Sequence, residues 1–297
     1  MMKILVTGAM GQLGQEFIAL TGQHTNLNFI FKTKEELDIT VPIELRGQFL
    51  HYEPDIVINC AAYTKVDDAE IHNNRAYLIN NLGPSHLAKL CREFGSTLIH
   101  ISTDYVFDGK TQTPYKEIDP AKPLSVYGDS KLKGEEACLE HCKDTYIFRT
   151  SWLYSNYGHN FLKTILNLGS TKKELKVVAD QMGTPTSVHD LAKAIIKLIS
   201  LKRDSYQVPA PGIYHYSNMG IASWFDFAKE IITYLDMKCN VQPIPTKDYP
   251  MLAKRPFYSV LDKSKVQREL ALDIPDWKTS LKETLGSLTK KTWKKTY

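Results

Sequence analysis

The sequence predicts an α/β protein built on a doubly wound parallel sheet, with a smaller C-terminal α/β lobe. In the first half, apolar runs of four to six residues alternate with segments of helical period, a pattern typical of buried parallel strands joined by helices. A glycine-rich turn follows the first apolar run and opens the first helical segment, where such sheets bind ligands. The second half is less regular, which indicates a change of architecture near residue 150.

Each element of the first half is predicted from its own local pattern. The strands are short runs rich in branched and aromatic residues, and they cover Lys3–Thr7, Asn28–Phe31, Ile56–Asn59, Thr97–Ser102 and Tyr146–Thr150. The helices are longer and amphipathic, and they cover Gln12–Leu20, Val41–His51, Ala76–Phe94 and a segment that starts near Tyr127. Pro120 and Pro123 suit the loop before that last helix.

The second half predicts fewer and less regular elements. Its predicted helices cover Gly158–Leu168, Asp190–Leu201 and Ser223–Tyr234. Its predicted strand covers Gly212–Ser217. The proline-rich stretch Pro243–Pro256 is expected to be irregular. We therefore expect residues 1–150 to form one domain and residues 151–297 to form mainly the second lobe, with the chain crossing back at least once.

Composition excludes several classes of protein. Hydrophobic residues make up 43% of the 297, charged residues make up 24%, and the net charge is +4, which gives no case for a nucleic-acid partner. No apolar run approaches the ~18 residues of a membrane span. The five cysteines are odd in number and scattered, so neither a disulfide framework nor a zinc site is predicted, and a cytoplasmic location is expected. The densest basic run, at 290–295, is interpreted as a solvated helix end.

The glycine-rich turn reads T-G-A-M-G-Q-L-G, with glycines at Gly8, Gly11 and Gly14. Glycine permits a tight turn and the close approach of a pyrophosphate to the backbone, and the free N–H groups of the helix start favour an anion. The spacing differs from the common G-x-G-x-x-G fingerprint, and a plain glycine-rich turn is the alternative. Its place between a first strand and an amphipathic helix favours a Rossmann-like dinucleotide site.

Tyr127 and Lys131 lie four residues apart in V-Y-G-D-S-K and therefore share one helix face. A free tyrosine has a pKa near ~10, and a neighbouring cation lowers the pKa of the phenol. The pair is thus a candidate proton donor with its tuning group. A surface contact between the two side chains is the alternative interpretation.

Three further segments lie where predicted strands end. They are Cys60-Ala61-Ala62-Tyr63-Thr64, Ser102-Thr103-Asp104-Tyr105 and Arg149-Thr150-Ser151-Trp152. The small Ala61 and Ala62 would let a cofactor lie against the backbone, and Thr103 offers a hydroxyl near the same edge. Their joint placement with the glycine turn predicts one site at the carboxyl edge of the sheet.

The residues at the end of the second strand predict which nicotinamide cofactor is preferred. An acidic residue there would select NAD, but the residues after Phe31 are Lys32, Thr33 and Lys34. A lysine at this place can pair with the extra phosphate of NADP. We expect NADPH to be preferred and NADH to be accepted as well, because no arginine fork is present. In the alternative, both lysines point to solvent.

Taken together, the motifs resemble the extended short-chain dehydrogenases/reductases and, within them, the dTDP-4-dehydrorhamnose reductase family. The resemblance covers nearly the whole chain in order. It rests on N-C-A-A-Y-T-K-V-D-D-A-E at 59–70, S-T-D-Y-V-F-D-G at 102–109, P-L-S-V-Y-G-D-S-K-L-K-G-E at 123–135, F-R-T-S-W-L-Y at 148–154, N-F at 160–161, D-Q-M-G-T-P-T at 180–186 and R-P-F-Y-S-V-L-D at 255–262.

The resemblance implies roles for individual residues. Tyr127 would donate the proton, Lys131 would lower its pKa and hold the nicotinamide ribose, and Thr103 would complete the triad and bond the substrate oxygen. The remaining cofactor contacts would come from Gly11, Gln12 and Leu13 at the pyrophosphate, Asp38 and Ile39 at the adenine, and Ala62, Tyr63 and Thr64 along the cofactor. The nucleotide-sugar would be bound by the second lobe and by the sheet edge, through Asp104, Trp152, Asn160 and Arg255.

The implied activity is reduction of the C4 ketone of dTDP-4-dehydro-L-rhamnose. Two alternatives remain: a reductase of another dTDP-4-keto-deoxysugar, and a non-catalytic regulatory subunit of the same fold, against which the intact Thr103, Tyr127 and Lys131 argue. A homodimer is compatible with the resemblance. Some members hold Mg²⁺ between subunits, and Glu16 matches one such position, but the other region here reads Ser187-Val188-His189-Asp190. No metal ligand is therefore assigned.

Overall fold

The computed structural model describes residues 1–293, and it describes side chains through residue 288. The basic run at 290–295 lies outside the residues whose side chains are described. In chain order the strands are β1 (Met2–Thr7), β2 (Leu27–Lys32), β3 (Ile56–Asn59), β4 (Thr97–Thr103), β5 (Thr145–Thr150), β6 (Leu153–Tyr154), β7 (Glu174–Val178), β8 (Met182–Gly183), β9 (Thr186–Ser187), β10 (Gly212–His215), β11 (Ala222–Ser223) and β12 (Asn240–Ile244).

Helices connect most of these strands. In chain order they are α1 (Gln12–Leu20), α2 (Pro42–Tyr52), α3 (Val66–Ile71), α4 (Asn73–Tyr77), α5 (Gly83–Phe94), α6 (Val126–His141), α7 (Phe161–Thr171), α8 (Val188–Arg203), α9 (Trp224–Tyr234), α10 (Ser264–Leu270) and α11 (Trp277–Trp293). A π-helical turn at Leu78–Leu82 joins α4 to α5. Among the described helices, none combines the length and the apolar composition of a membrane span.

A six-stranded parallel sheet organises the fold. Its strand order is β10-β5-β4-β3-β1-β2, so the order reverses beside β1 and opens a crevice at the carboxyl edge. The register aligns Thr7 of β1 with Asn59 of β3, and Thr103 of β4 with Thr150 of β5. The strand-end segments therefore meet at one edge, and the predicted doubly wound α/β architecture is confirmed.

Both faces of the sheet are covered by apolar helix faces. One face packs against α1, α8 and α10, and the other packs against α2, α5 and α6. The strands are consequently buried on both sides, which explains why their sequences read as continuous apolar runs. Burial of β3 is complete, with Ile56, Val57 and Ile58 at most 1% exposed.

A separate apolar cluster forms next to the carboxyl edge. It gathers side chains from α7, α9 and α11 with the strands β7 and β12, and the aromatic ring of Phe227 lies between Tyr154, Phe161 and Trp277. The strands in this region are short pairs: β6 with β9, β8 with β11, and β7 with β12. β10, although it comes late in the chain, pairs with β5 in the main sheet. The division at residue 150 stays a prediction.

Most predicted elements agree with the structure to within two residues, and the exceptions have physical causes. The helix expected from Gly158 begins at Phe161, because Gly158 adopts a left-handed φ of 59° and Asn160 is the N-cap. The helix expected over Ala76–Phe94 contains the π-helical turn. The stretch expected to be irregular from Pro243 begins inside β12, where proline is tolerated because the strand lies at an edge.

Candidate active site

The glycine turn brings the start of α1 against the end of β3. Gly8 has a φ of 65°, and a Cβ there would lie 2.7 Å from the backbone nitrogen of Ala61, so a larger residue would push the two segments apart. Gly11 is the N-cap of α1, and its N–H donates to the Gly8 carbonyl over 2.9 Å. The N–H groups of the first helical turn lack partners within the helix and face the crevice, an arrangement that suits a pyrophosphate.

The helix α6 places Tyr127 and Lys131 beside the end of β4. Ser125 caps the helix, with its Oγ accepting from the Gly128 N–H over 3.2 Å. A Cβ on Gly128 would lie 2.2 Å from the Tyr105 carbonyl oxygen, so this glycine permits direct contact between the helix and the segment that carries Thr103. The glycine between the tyrosine and the lysine of the motif thus has a packing reason.

Tyr127 and Thr103 are hydrogen-bonded in the cavity. Burial raises the pKa of Tyr127 to about 12, the hydrogen bond with Thr103 opposes that rise, and the Asp104 carboxylate adds to it. The expectation that Lys131 lowers the Tyr127 pKa is not met here, because burial dominates and the Lys131 ammonium is bonded elsewhere. The tyrosine is therefore a protonated donor across the whole neutral range.

Lys131 is buried beneath this pair. Its Nζ donates to the Ile101 carbonyl over 2.7 Å and lies 3.3 Å from His100 Nε2. Burial lowers the pKa of Lys131 to about 8, although the carboxylate of Glu135, one helical turn away, raises it. The ammonium of Lys131 therefore loses its proton more easily than that of an exposed lysine.

Asp104 is a second ionisable group in the cavity. Its carboxyl is 2% exposed, and burial raises its pKa to about 7 against hydrogen bonds with Ser259 and Thr103. Its Oδ1 accepts from Thr103 Oγ1 over 3.1 Å, whereas its Oδ2 has no partner within the described residues. A carboxyl in this state can donate or accept a hydrogen bond to a polar ligand.

Aromatic rings form a second wall of the cavity, next to the end of β5. The indoles of Trp152 and Trp224 stack with centroids 3.6 Å apart and an angle of 10°, and Phe161 lies 4.7 Å from Trp224. Trp152 adopts a φ of 46°, which is unusual for a large residue and marks a backbone held in place by its surroundings. A flat apolar surface of this kind suits a sugar or base ring.

Gln12 links the two walls. Its Oε1 accepts from Ser155 Oγ and from Asn160 Nδ2, each over 2.9 Å. Asn160 in turn caps α7, with its Oδ1 accepting from the Lys163 N–H. A side chain from the glycine turn therefore holds the start of the α7 helix.

These groups enclose a cavity of about 750 Å³. The structure brings most of the predicted site residues together on its lining: Gly11, Gln12, Leu13, Ala62, Thr64, Thr103, Asp104, Tyr127, Lys131, Trp152 and Asn160. It also places there Ser151, from one of the predicted strand-end segments, and Gly158, His159 and Trp224, which sequence reasoning did not select.

The other predicted site residues lie outside this lining. Gly8 and Gly14 shape the turn, and Ala61 and Tyr63 lie in the segment beneath it. Asp38 accepts from Thr40, and Ile39 is buried in the core against Gly83. Lys32 donates to the Tyr52 hydroxyl over 3.2 Å.

Arg255 forms an ion pair with Asp67 behind the cavity wall. Its Nη2 lies 2.6 Å from Asp67 Oδ2, and Tyr105, which lines the cavity, is hydrogen-bonded to the same guanidinium. Arg255 itself does not line the cavity in this structure, and its contact with the lining is made by way of Tyr105. Its predicted contact with substrate stays a prediction.

Glu16, which matched a magnesium position, and the segment at 187–190 form hydrogen bonds with other side chains. His189 Nδ1 lies 2.8 Å from Glu16 Oε1, while Asp190 turns inward to Asn218 and Ser280. Within the part of the chain whose side chains are described, no group of three or more His, Cys, Asp or Glu residues is arranged to hold a metal ion.

Trp224 and His100 show what sequence reasoning missed and which signals were present. Trp224 follows Ser223, whose capping box with Asp226 fixes the helix start, so the motif S-W-F-D marks the tryptophan as a first-turn residue. His100 interrupts the apolar run T-L-I-H-I-S, and a polar residue inside a buried strand needs a partner. Neither signal says which cavity or partner the side chain meets.

The parallel sheet, its glycine turn and the Tyr127–Lys131 helix define a short-chain dehydrogenase/reductase, the class that the motifs predicted. The chain belongs to the family described as RmlD substrate binding domain, whose model matches residues 2–290. The family assignment covers nearly the entire sequence, so it includes both walls of the cavity.

Individual relatives agree over the same length. The spore coat polysaccharide biosynthesis protein SpsK of Bacillus subtilis (strain 168) is 43% identical over 96% of this chain and 97% of its own. A dTDP-4-dehydrorhamnose reductase structure from Clostridium acetobutylicum superposes with a TM-score of 0.91 at 43% identity, covering 97% and 100% of the two chains. The structure of a dTDP-4-dehydrorhamnose reductase from Bacillus anthracis, in complex with NADP, superposes with a TM-score of 0.90 at 39% identity. The match covers 96% of this chain and 99% of that one.

Proposed function

We propose that this protein reduces the C4 ketone of dTDP-4-dehydro-L-rhamnose to dTDP-L-rhamnose with NAD(P)H, the last step of dTDP-rhamnose synthesis. The observation that carries the proposal is one cavity that joins three parts: the first turn of α1, the Thr103–Tyr127–Lys131 group, and the Trp152–Trp224 stack. Membership of the reductase family supports the same substrate class.

The residues present fit a dinucleotide. Gly8 leaves no side chain between the turn and β3, Ala62 is small, and the first turn of α1 offers N–H donors to phosphate. When bound, the nicotinamide supplies the hydride that reduces the ketone carbon. Lys131, at the base of the cavity, is placed to hold the adjoining ribose.

Tyr127 delivers the proton. As hydride reaches the ketone carbon, its oxygen becomes an alkoxide, which is a stronger base than a phenolate; bulk water, for comparison, has a pKa of about 15.7. A phenol whose pKa is about 12 therefore gives up its proton only to this developing charge. Thr103, hydrogen-bonded to Tyr127, is placed to hold the same oxygen.

The opposite wall binds the nucleotide-sugar. Trp152 and Trp224 offer a flat surface to a ring, Asn160 adds a polar group beside them, and Asp104 offers a polar contact from the sheet edge. The catalytic group decides the reaction type, and this wall decides which ketosugar is accepted. A reductase of another dTDP-4-keto-deoxysugar would share the catalytic group and differ in this wall.

A turnover assay tests the function. The protein is incubated with dTDP-4-dehydro-L-rhamnose and NADPH, oxidation of NADPH is followed by absorbance, and the sugar is identified by NMR, including the configuration at C4. Formation of dTDP-L-rhamnose is expected. A different product or another preferred ketosugar would reassign the substrate, and absence of turnover on any dTDP-4-keto sugar would favour the regulatory-subunit reading.

We further propose that NADPH is the preferred cofactor and that NADH is also accepted. Lys32 lies at the end of β2, with its Nζ 5.0 Å from the Tyr52 ring centroid, so its charge is held near the carboxyl edge. A 2′-phosphate bound there would gain from this charge. We also infer a cytoplasmic location and a homodimer. The molecular mass from sedimentation equilibrium tests the homodimer.

The cofactor proposal is tested by kcat/KM for NADPH and NADH in Lys32→Ala and in Lys34→Ala. We expect Lys32→Ala to reduce the preference for NADPH by about tenfold, the loss of one phosphate-pairing charge, and Lys34→Ala to change it less. Equal use of both cofactors by the wild type, or an unchanged preference in Lys32→Ala, would remove Lys32 from the cofactor site.

A further inference from the structure

A line of buried polar side chains runs across three strands and ends at Lys131. Thr7 of β1, Asn59 of β3 and His100 of β4 are neighbours in the parallel register, and each is at most 1% exposed. Thr7 Oγ1 donates to Asn59 Oδ1 over 2.8 Å, Asn59 Nδ2 lies 3.1 Å from His100 Nδ1, and His100 Nε2 lies 3.3 Å from Lys131 Nζ.

A backbone N–H fixes which atoms donate and which accept along this line of hydrogen bonds. The Ala61 N–H, which can only donate, points to Asn59 Oδ1 over 3.1 Å, so the amide nitrogen of Asn59 must face His100. An amide nitrogen also only donates, and His100 Nδ1 must therefore accept. A neutral imidazole that accepts at Nδ1 carries its proton on Nε2, which is the nitrogen that faces Lys131.

His100 is neutral in the fold. It is fully buried, and burial together with the charge of Lys131 holds the pKa of His100 well below its usual value. Its Nε2–H therefore meets the Lys131 nitrogen. An ammonium has no lone pair to accept this hydrogen, whereas a neutral amine has one, and the ammonium instead has the Ile101 carbonyl as its acceptor.

We propose that His100 is a positioning residue that donates its Nε2–H to the amine of Lys131 and so allows this lysine to give up its proton during turnover. The proposal rests on the reductase function proposed above, in which Tyr127 loses a proton at each cycle and must regain one. Lys131 lines the same cavity as Tyr127 and is a source for that proton when it passes from ammonium to amine. The His100 N–H stabilises the amine that remains, and the amine takes up a proton from solvent before the next cycle.

The other groups around Lys131 do not supply this stabilisation. Those that face it are Glu135 and Cys138 on α6, Cys60 after β3, and, bonded to Glu135, Arg149 on β5. The carboxylate and the two thiols each favour the ammonium and raise the pKa of Lys131. Burial and His100 act in the opposite direction, so removal of the Nε2–H is expected to raise the Lys131 pKa.

The test compares two substitutions of nearly equal polarity. His100→Asn keeps an oxygen acceptor for Asn59 but is too short to reach Lys131, whereas His100→Gln carries an amide N–H near the position of Nε2. The titration of Lys131 is followed by NMR of ¹³Cε-labelled lysine without substrate, with the Lys131 resonance assigned by its absence in Lys131→Arg. His141→Gln changes a histidine on α6, the helix that carries Lys131, and controls for the loss of a histidine elsewhere.

We expect the Lys131 titration to shift upward by roughly half to one pH unit in His100→Asn, the equivalent of one hydrogen bond, and to stay near the wild type in His100→Gln. The alkaline limb of the kcat–pH profile should move with it. An unchanged titration in His100→Asn, or a downward shift, would overturn the proposal, since a downward shift means that Nε2 accepts from the ammonium.

A measurement on the wild type covers the case in which His100→Asn does not fold. The ¹⁵N shifts of the His100 ring report directly which nitrogen carries the proton. Protonation at Nε2 is expected, and protonation at Nδ1 would overturn the proposal. Because neither NMR readout uses the substrate, both succeed or fail independently of the proposed reaction.

Discussion

The two walls of the cavity are built in different ways. The sheet-edge wall carries Thr103, Tyr127 and Lys131 at the end of β4 and on α6, and its strands are joined by continuous parallel ladders. The facing wall carries Trp152 and Trp224 beside two-residue strands. The two indoles are held by stacking on each other, and Trp152 also packs against Gly183.

The difference separates chemistry from recognition. Proton transfer requires groups held within hydrogen-bond reach, and a buried multi-stranded sheet provides that precision. Binding of a ring requires a flat surface, which short elements can present at many angles. A change in the sheet-edge wall should therefore affect kcat, and a change in the facing wall should affect KM.

Tyr127→Phe is the strongest test of the sheet-edge wall. The substitution removes the transferable proton and keeps the ring, so we expect kcat to fall by roughly 100-fold or more. The dissociation constant for NADPH, measured by fluorescence titration, should change little. Near-normal turnover in this variant would show that the proton comes from another group.

Asp104 tests whether the sheet-edge wall is as dry as the structure indicates. Its pKa is about 7 in the fold and near ~3.9 when unfolded, so the native protein retains this proton between those values and the unfolded chain does not. The free energy of unfolding should therefore fall as the pH rises through this window.

The measurement is urea unfolding at pH 5 and pH 8 of the wild type and of Asp104→Asn, which stays neutral. We expect the wild type to lose about 1–3 kcal/mol more than the variant between the two pH values. Asp68→Asn, a change of a half-exposed carboxylate on α3, should keep the wild-type slope. Identical slopes in Asp104→Asn and wild type would mean that the carboxyl is solvated.

Trp224→Ala probes the facing wall. The variant removes one of two stacked rings and frees Trp152 to move, so we expect the KM for the nucleotide-sugar to rise about tenfold, in line with one aromatic stacking contact. The kcat and the NADPH affinity should remain close to the wild type, and Trp224→Phe should show a smaller rise. A loss of kcat instead of KM would remove the separation between the walls.

Gln12→Ala tests the link between the walls and has the smallest expected effect. The change leaves Ser155 and Asn160 without their shared acceptor, and we expect KM to rise about three- to fivefold for both NADPH and sugar. Gln15→Ala, on the same helix, is the matched control because the Gln15 side-chain amide donates to the Met10 carbonyl and not to the second lobe within the described residues. Equal kinetics of the two variants would show that the link does not organise the site.

The parallel sheet and the sheet-edge residues were predictable from the sequence alone. The apolar runs of β1, β3, β4 and β5 are local patterns, and parallel strands must bring their carboxyl ends to one edge. Tyr127 and Lys131 share a helix face by spacing alone. These predictions needed no knowledge of distant contacts, because period, strand order and edge follow from backbone geometry.

Only the tertiary structure placed the remaining groups. Trp224 is 72 positions from the Trp152 ring on which it stacks, and Arg255 pairs with Asp67 across 188 positions. The direction of the hydrogen bonds from Asn59 to His100 depends on the position of one backbone N–H. The raised pKa of Tyr127 depends on burial by several segments at once. Burial and long-range pairing are properties of the assembled fold, whereas a sequence pattern reports only neighbours along the chain.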